Sequence, residues 1–159
     1  KAIEIKPDYA EAHSNLGIIL KDLGKLLEAE VTTLKAIEID PNLAIAHSNL
    51  GNVLLDLGKL LEAEVSYRKA IEINSNLAIA HSNLGNILRE SGNLEDAELS
   101  TRKAIEIDPD FANAHANLGN ILRDIGKFED AKLCSEKIIS LRSWSILGSY
   151  CSNYEMKLD

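Results

Sequence analysis

The chain has 159 residues, of which 45% are apolar and only 4% aromatic, so it can bury a substantial core and that core must be aliphatic. The formal net charge is -8, from 25 acidic and 17 basic residues, and no segment concentrates lysine and arginine, which argues against nucleic acid as a partner. No apolar run approaches a membrane span and the first residues lack a signal-peptide pattern, so we expect a cytoplasmic protein without a membrane contact.

One short segment recurs every 34 residues along the chain. It reads AHSNLG at 12–17, 46–51 and 80–85, and AHANLG at 114–119. A two-helix unit of this length cannot bury its apolar faces alone, so such units stack into one elongated core. The period divides the chain into a partial repeat at 1–9, units at 10–43, 44–77, 78–111 and 112–145, and a terminal segment at 146–159.

The elements follow the same order in every unit. Residues 1–5 (KAIEI) match 35–39, so the chain opens with the end of a second helix. Each unit then begins with an apolar stripe of helical spacing, ends that helix at a glycine suited to a left-handed cap, and continues into a second amphipathic helix. Prolines or serines then end the second helix. The cap glycines are Gly24, Gly58, Gly92 and Gly126.

The fourth unit is the least regular of the four. Ile138 stands where the other units have alanine, and the repeat pattern stops after Ser143. Beyond that point, apolar residues spaced three and four apart predict a short helix that covers the end of the fourth unit. The alternatives are a disordered tail or a linker to another domain.

Small and large residues alternate within each unit, and in the second unit they are Leu50, Gly51, Leu54, Ala63, Tyr67 and Ala70. This pattern resembles the tetratricopeptide repeat. The resemblance runs in phase through all four units and extends to about residue 141. It implies an all-α fold, a right-handed α-solenoid of helix-turn-helix repeats, and a role in protein binding. Departures from the family pattern are a histidine in place of the usual tryptophan and small polar residues in place of an aromatic at Thr33, Thr101 and Ser135.

Four equivalent histidines, one in each unit, suggest a metal site. Because neighbouring helices lie about 8–10 Å apart, equivalent side chains on successive units are too distant to share one zinc ion. We therefore interpret them as half-buried packing residues. No nucleotide-binding or nucleophile motif is present, so we expect no metal, no cofactor and no enzymatic activity. The histidines are His13, His47, His81 and His115.

An asparagine in every first helix is the strongest candidate for contact with a partner. The family resemblance places first helices on the concave side, where these residues would form a ladder similar to that of the O-linked N-acetylglucosamine transferases. An amide both donates and accepts, which suits the backbone of an extended peptide. The alternative is that these asparagines satisfy the chain's own backbone. The candidate contact residues are Asn15, Asn49, Asn83, Asn117, Asn52, Asn86, Asn120, Arg89 and Arg123.

A second binding mode of the family is disfavoured by the residues beside this ladder. Related repeats that bind a C-terminal carboxylate carry a lysine one position before the first asparagine of each unit. This chain has Ser14, Ser48, Ser82 and Ala116 there. We therefore do not expect it to bind a chaperone's C-terminal carboxylate.

The second helices carry apolar residues that fall off the predicted core stripe. Such residues either pack between repeats or form an exposed patch that associates with a second copy. A homodimer is thus an alternative use of the chain. The candidates for self-association are Leu27, Val31, Leu34, Leu61 and Val65.

Taken together, these features predict a non-catalytic scaffold that binds an extended peptide or a partner protein in its concave groove. Two alternatives remain open. The array could be the substrate-recognition arm of a larger, glycosyltransferase-like enzyme, or it could be a homo-oligomerisation module.

Overall fold

The computed structural model describes residues 8–155 of the chain, with side chains for residues 8–141 and for residue 143. Within this part the backbone forms eight α-helices and no strand, so the prediction of an all-α repeat solenoid is confirmed. The predicted partial repeat at 1–9 lies outside the described residues, apart from Asp8 and Tyr9. The helices are α1 (Ala10–Asp22), α2 (Leu26–Ile39), α3 (Ala44–Asp56), α4 (Leu60–Ile73), α5 (Ala78–Glu90), α6 (Leu94–Ile107), α7 (Ala112–Ile125) and α8 (Phe128–Glu155).

The helices form two layers. Each odd-numbered first helix packs against the second helix that follows it, and each second helix packs against the next first helix. The first helices also contact one another directly, α1 with α3 and α5 with α7. This packing leaves two faces, which we name the first-helix face and the second-helix face after the helices that form them.

The turn inside each unit depends on a glycine, as predicted. Gly24, Gly58, Gly92 and Gly126 have positive φ angles between 74° and 89°, where a side chain would be strained. In the first unit the N–H of Gly24 donates to the carbonyl of Lys21 and that of Lys25 to the carbonyl of Leu20, both at 2.9 Å. These bonds complete the end of α1 in the way that a left-handed cap requires.

The turn between units is held by its histidine. His47 Nε2 donates to the carbonyl oxygen of Pro41 at 2.9 Å, and His115 makes the same bond to Pro109 at 2.9 Å. His81 reaches Ser75 at 3.0 Å, although serine replaces proline there. Each of these histidines therefore bonds the turn before its own helix, in addition to the packing role that the sequence predicts.

The core lies between the two layers and is aliphatic apart from one tyrosine. Alanines at the helix crossings, such as Ala63 and Ala97, are fully buried and allow the helices to approach closely. Tyr67 is also fully buried and packs across Gly51. The large aliphatic members of the main core cluster come mainly from the first helices, including Leu50, Leu54, Leu84, Ile87 and Leu88.

The fourth unit differs from the others in its second helix. Helix α8 turns Cys134, not Ser135, towards Gly119, while Ser135 is exposed. The bulkier Ile138 replaces an alanine that is fully buried in the other units, which accounts for this different packing. Burial raises the pKa of the Cys134 thiol.

At the end of the chain one helix spans the predicted boundary near residue 145. Helix α8 is continuous from Phe128 to Glu155, so no turn separates the fourth unit from the segment that follows. Residues 146–155 are helical, as the capping-helix alternative requires, but they extend α8 and do not form a separate element. Their side chains lie outside the described part, so the capping role stays a prediction.

Charged clamps join second helices across two of the repeat junctions. Lys59 Nζ lies 2.7 Å from a Glu30 oxygen, and the equivalent Lys127 lies 2.9 Å from Glu98. The hydrogen bond from Lys127 and the contacts with Arg102 outweigh the effect of burial and hold the pKa of Glu98 below its usual value. At the remaining junction Asn93 replaces the lysine.

The glycines at the helix crossing should respond differently to substitution in different units. A Cβ added at Gly51 would lie 2.6 Å from a Tyr67 ring carbon, whereas one at Gly119 meets Cys134 Cβ only at 3.4 Å. We expect Gly51→Ala to lower the free energy of unfolding by about 1–3 kcal/mol through overpacking. Gly119→Ala should raise it by up to about 1 kcal/mol, because alanine is the better helix former. Urea denaturation followed by circular dichroism measures both, and equal shifts would contradict the packing difference.

The Glu98 clamp should make stability depend on pH. Because the pKa of Glu98 is lower in the folded than in the unfolded chain, its contribution is present above the ordinary value of 4.5 and is lost as the pH falls through the folded pKa. We expect Glu98→Gln to lower the free energy of unfolding at neutral pH by about 0.5–1 kcal/mol, with the difference from the parent chain shrinking in acid. Glu64→Gln, which removes only a pair within α4, is the control. Parallel pH curves for the parent and Glu98→Gln would exclude the clamp as a source of stability.

Candidate functional site

The first-helix face carries the asparagines that the sequence singled out, but their exposure differs. Asn15 is exposed, Asn83 and Asn117 are half-buried, and Asn49 is only 9% exposed. The ladder prediction assumed that every amide is displayed to a partner. The structure restricts that display at Asn49, because its side chain is enclosed between α1 and α3.

Two of these asparagines bond the preceding unit through their amide nitrogens. Asn49 Nδ2 donates to Ser14 Oγ at 2.9 Å, and Asn117 Nδ2 donates to Ser82 Oγ at 3.0 Å. Asn117 Nδ2 also lies 3.2 Å from the Ser82 carbonyl oxygen. Ser14 and Ser82 are buried, so each asparagine satisfies a serine that water cannot reach.

The middle junction uses a different set of hydrogen bonds because of Tyr67. The Tyr67 hydroxyl donates to Asn52 Oδ1 at 2.7 Å, and Asn83 Nδ2 donates to the same oxygen at 2.8 Å. Burial raises the pKa of Tyr67, which keeps the hydroxyl protonated and able to donate. Since Asn83 bonds Asn52, the equivalent serine, Ser48, is buried with its hydroxyl unpartnered among the described residues.

The carbonyl oxygens of the same asparagines remain available. In the described part no donor contacts the Oδ1 atoms of Asn49, Asn83 and Asn117. These oxygens are not fully enclosed, since the buried side-chain atoms without a partner in the described part are Ser48 Oγ and Arg89 Nε. Asn83 and Asn117, and to a small extent Asn49, therefore present an acceptor, while the exposed Asn15 displays both its donor and its acceptor.

The other predicted amides bond neighbours within their own helices. Asn86 Nδ2 donates to Glu90 at 3.0 Å, and Arg123 donates to Asn120 Oδ1 at 3.2 Å. Both asparagines are half-buried, and Arg123 is exposed. These residues are thus on the surface of the face, although their side chains already have intramolecular partners.

Ion pairs cross the face near the ends of the first helices. Arg89 contacts Asp124 at 3.0 Å, so this predicted contact residue already has a carboxylate partner in the next unit. Lys21 makes the equivalent contact with Asp56 at 3.4 Å and also pairs with Asp22. Partial burial lowers the pKa of Lys21, but its contacts with Asp22 and Asp56 outweigh that effect and raise it.

The candidates for self-association lie on the opposite layer and are all exposed. Their exposed fractions range from 46% to 77%. The alternative of burial between repeats is therefore not what the structure shows for these side chains. They are Leu27, Val31, Leu34, Leu61 and Val65.

Comparison with protein families identifies the repeat. One model described as tetratricopeptide repeat matches residues 42–110, and a second with the same description matches residues 1–31 and 101–132. The chain is built of tetratricopeptide repeats. This confirms the resemblance seen in the spacing of small and large residues. No curated protein sequence matches the chain at a significant level.

Several solved tetratricopeptide-repeat structures share this fold. MamA has a TM-score of 0.76 and 23% identity over 92% of this chain and 85% of its own. PilF of Pseudomonas aeruginosa has a TM-score of 0.78 and 30% identity over 83% of this chain and 60% of its own. The first such domain of RPAP3 (Spaghetti), bound to the HSP90 peptide SRMEEVD, has a TM-score of 0.70 and 23% identity over 74% of this chain and 93% of its own.

The described part of the chain shows neither a metal site nor a membrane-spanning helix. Among the described residues, no three histidine, cysteine, aspartate or glutamate side chains are grouped as a metal site would need. Nor does any helix of that part combine the length and the apolar content needed to cross a membrane.

The buried serines are the residues of this face that the sequence interpretation missed. The sequence interpretation uses these serines only as positions that lack the family's lysine. The available signal was the Ser-Asn pair at 14–15, 48–49 and 82–83, which recurs in three units and changes to Ala-Asn in the fourth. Recognising its role requires knowing that an asparagine bonds the serine 35 residues earlier.

The serines provide a test of this hydrogen-bond network. Ser14→Ala removes the acceptor for Asn49, so we expect the free energy of unfolding to fall by about 1–2 kcal/mol. Ser48→Ala removes a buried hydroxyl that has no partner, so it should be neutral or stabilising by up to about 1 kcal/mol. Urea denaturation compares the two repeat-equivalent variants. A loss of stability in Ser48→Ala as large as that in Ser14→Ala would contradict the hydrogen bonding described.

Proposed function

We propose that this chain is a protein-interaction scaffold that binds an extended peptide segment of its partner along the first-helix face. Tetratricopeptide repeats and the fold shared with solved repeat proteins support the general role of protein binding. A cytoplasmic location and the absence of catalysis are parts of the same proposal.

The observation that carries this proposal is the row of unoccupied amide oxygens. Asn49, Asn83 and Asn117 hold their amide nitrogens inward, which orders each side chain and leaves its oxygen without a partner in the described part of the chain. A group that is already ordered loses little entropy when it binds. An extended peptide has a regular series of backbone N–H donors, and these suit a row of acceptors whatever the peptide's side chains are.

The charged residues of the first-helix face narrow the class of peptide that it can bind. Asp22, Asp56, Glu90 and Asp124 are exposed at or near the ends of the four first helices. Of the three basic residues nearby, Lys21 and Arg89 are already paired with carboxylates. We therefore propose a neutral or basic segment, since a strongly acidic one would be repelled.

This ligand differs from the acidic peptide bound by the RPAP3 domain. In this chain the positions at which the family places a carboxylate-binding lysine hold Ser14, Ser48 and Ser82, which are buried, and Ala116. We propose that the asparagines contact the backbone of the bound peptide. This is the role expected of the asparagine ladder in the O-linked N-acetylglucosamine transferases. On that view the array also suits the substrate-recognition arm of a larger enzyme, which is the second candidate function.

The binding should be weak and should depend on backbone N–H groups. Three or four hydrogen bonds at about 0.5–1.5 kcal/mol each sum to roughly 1.5–6 kcal/mol, and over most of that range the dissociation constant is about 1 mM or weaker. The probe is a peptide that alternates threonine and lysine, compared with a copy that is N-methylated at alternate residues. We expect nuclear magnetic resonance titration to shift the side-chain amide signals of the four asparagines, and N-methylation to weaken binding at least tenfold. Equal binding of the two peptides would overturn backbone recognition.

Substitutions separate a binding role of the asparagines from their structural one. Replacing Asn15, Asn49, Asn83 and Asn117 together by alanine should abolish binding, while Asn15→Ala alone should have a small effect. The matched control is a double variant, Ser14→Ala with Ser82→Ala. It removes two of the bonds that order the amides but keeps all four amide oxygens, so it should still bind, although more weakly than the parent chain. Loss of binding in this control would mean that the repeat geometry, and not the oxygens, determines recognition.

A further inference from the structure

The second-helix face carries an apolar patch that the repeat fold itself does not require. The patch comprises Leu27, Val31, Leu34, Leu61 and Val65 on α2 and α4. The four units serve as internal comparisons, because the places of the three leucines are charged in other units, whereas Leu99 and Leu133 keep the place of Val31 and Val65 apolar. Glu95 and Glu129 occupy the place of Leu27 and Leu61, while Arg68 and Arg102 occupy that of Leu34. Since those units have the same helices, the leucines of the patch are not needed to form them.

The patch has the shape of a ridge beside a groove. Leu27 and Val31, about 70% exposed, form the ridge along α2. Between α2 and α4 lies a groove of about 420 Å³, with Leu34, Leu61 and Val65 at its sides. Leu50 and Leu54 of α3 also line it. A ridge of this kind fits a groove of this kind when one copy is turned about a two-fold axis.

We propose that this patch is a two-fold interface between two copies of the chain, in which the α2 ridge of each copy lies in the α2–α4 groove of the other. Two-fold interfaces are self-complementary, because each contact occurs twice. The patch lies on the layer opposite the first-helix face, so dimerisation and peptide binding are independent properties.

The charges around the patch favour a second copy over a strongly charged partner. Two carboxylates line the groove, Glu30, which is paired with Lys59 at 2.7 Å, and Glu62. On α4, Arg68 pairs with Glu64 at 2.8 Å. The rim thus carries both signs in adjacent pairs, so a basic group of one copy can meet an acidic group of the other. A strongly acidic or strongly basic partner would gain less binding free energy from such a rim.

The patch is also of the right size for a dimer. A standard interface buries about 800 Å² per partner and is about 65% apolar in homodimers, so it needs on the order of 500 Å² of apolar surface from each copy. Five aliphatic side chains with exposed fractions between 46% and 77%, together with the groove between them, supply apolar surface of that order.

Sedimentation velocity over a concentration series tests the interface. We expect the parent chain to dimerise in the micromolar range. A triple variant, Leu27→Glu with Leu34→Arg and Leu61→Glu, should weaken dimerisation at least tenfold. Its thermal unfolding should be nearly unchanged, because units two and three already hold Arg68, Glu95 and Arg102 at these places.

The matched control is Leu99→Glu with Leu133→Glu. These leucines are as exposed as those of the patch but lie on α6 and α8, outside it, so the control should dimerise like the parent. A parent chain that is monomeric at every concentration overturns the proposal and leaves the patch to a different protein. A dimer that survives the triple variant, or that is lost equally in the control, also overturns it.

Discussion

The contact between successive units is the constraint on which the rest of this structure depends. A single helix pair has one apolar side towards its own partner helix and another that only a neighbouring unit can cover. In this chain the second face is closed at each junction by the packing of a second helix against the next first helix. Asn49 and Asn117 bond across this contact to Ser14 and Ser82 of the preceding unit. The polar surface of the first helices is therefore a product of the repeat packing.

Tyr67 shows how one residue can change that packing locally. The units with threonine at this place bond the hydroxyl to their own helix, as Thr33 does to Ala29 at 2.8 Å. Tyrosine is too long for that arrangement, so its hydroxyl reaches Asn52 on the first-helix face. Asn83 donates to the same Asn52 oxygen, so the Ser48 hydroxyl has no hydrogen-bond partner among the described residues. The middle junction thus exchanges an asparagine–serine bond for a tyrosine–asparagine network, and the two kinds of junction hold their amides differently.

The sequence was sufficient for the features that depend on local chemistry. The period, the helix pairs and the positive φ angles of the cap glycines follow from spacing and from the lack of a Cβ. It was insufficient where the outcome depends on neighbours in space. The bond from Asn49 to Ser14 joins positions 35 residues apart, and the continuity of α8 through residue 145 does not follow from the repeat period. The helical spacing suggests that Leu27 and its neighbours are exposed, but only the packing of the helices shows that they are.

Near-identity between units also gives a physical means of separating structural from functional residues. Where all units agree, as at the buried alanines, the fold requires the residue, and no partner needs to be invoked. Where units differ but keep the same helices, the fold tolerates either residue, and an unfavourable residue there has a reason other than folding. An exposed leucine is unfavourable, because its apolar side chain contacts water while a charged residue occupies the equivalent place in another unit. The concentration of these leucines on α2 and α4, and the displayed amide oxygens on the other layer, therefore point to two separate surfaces, each accounted for by contact with another molecule.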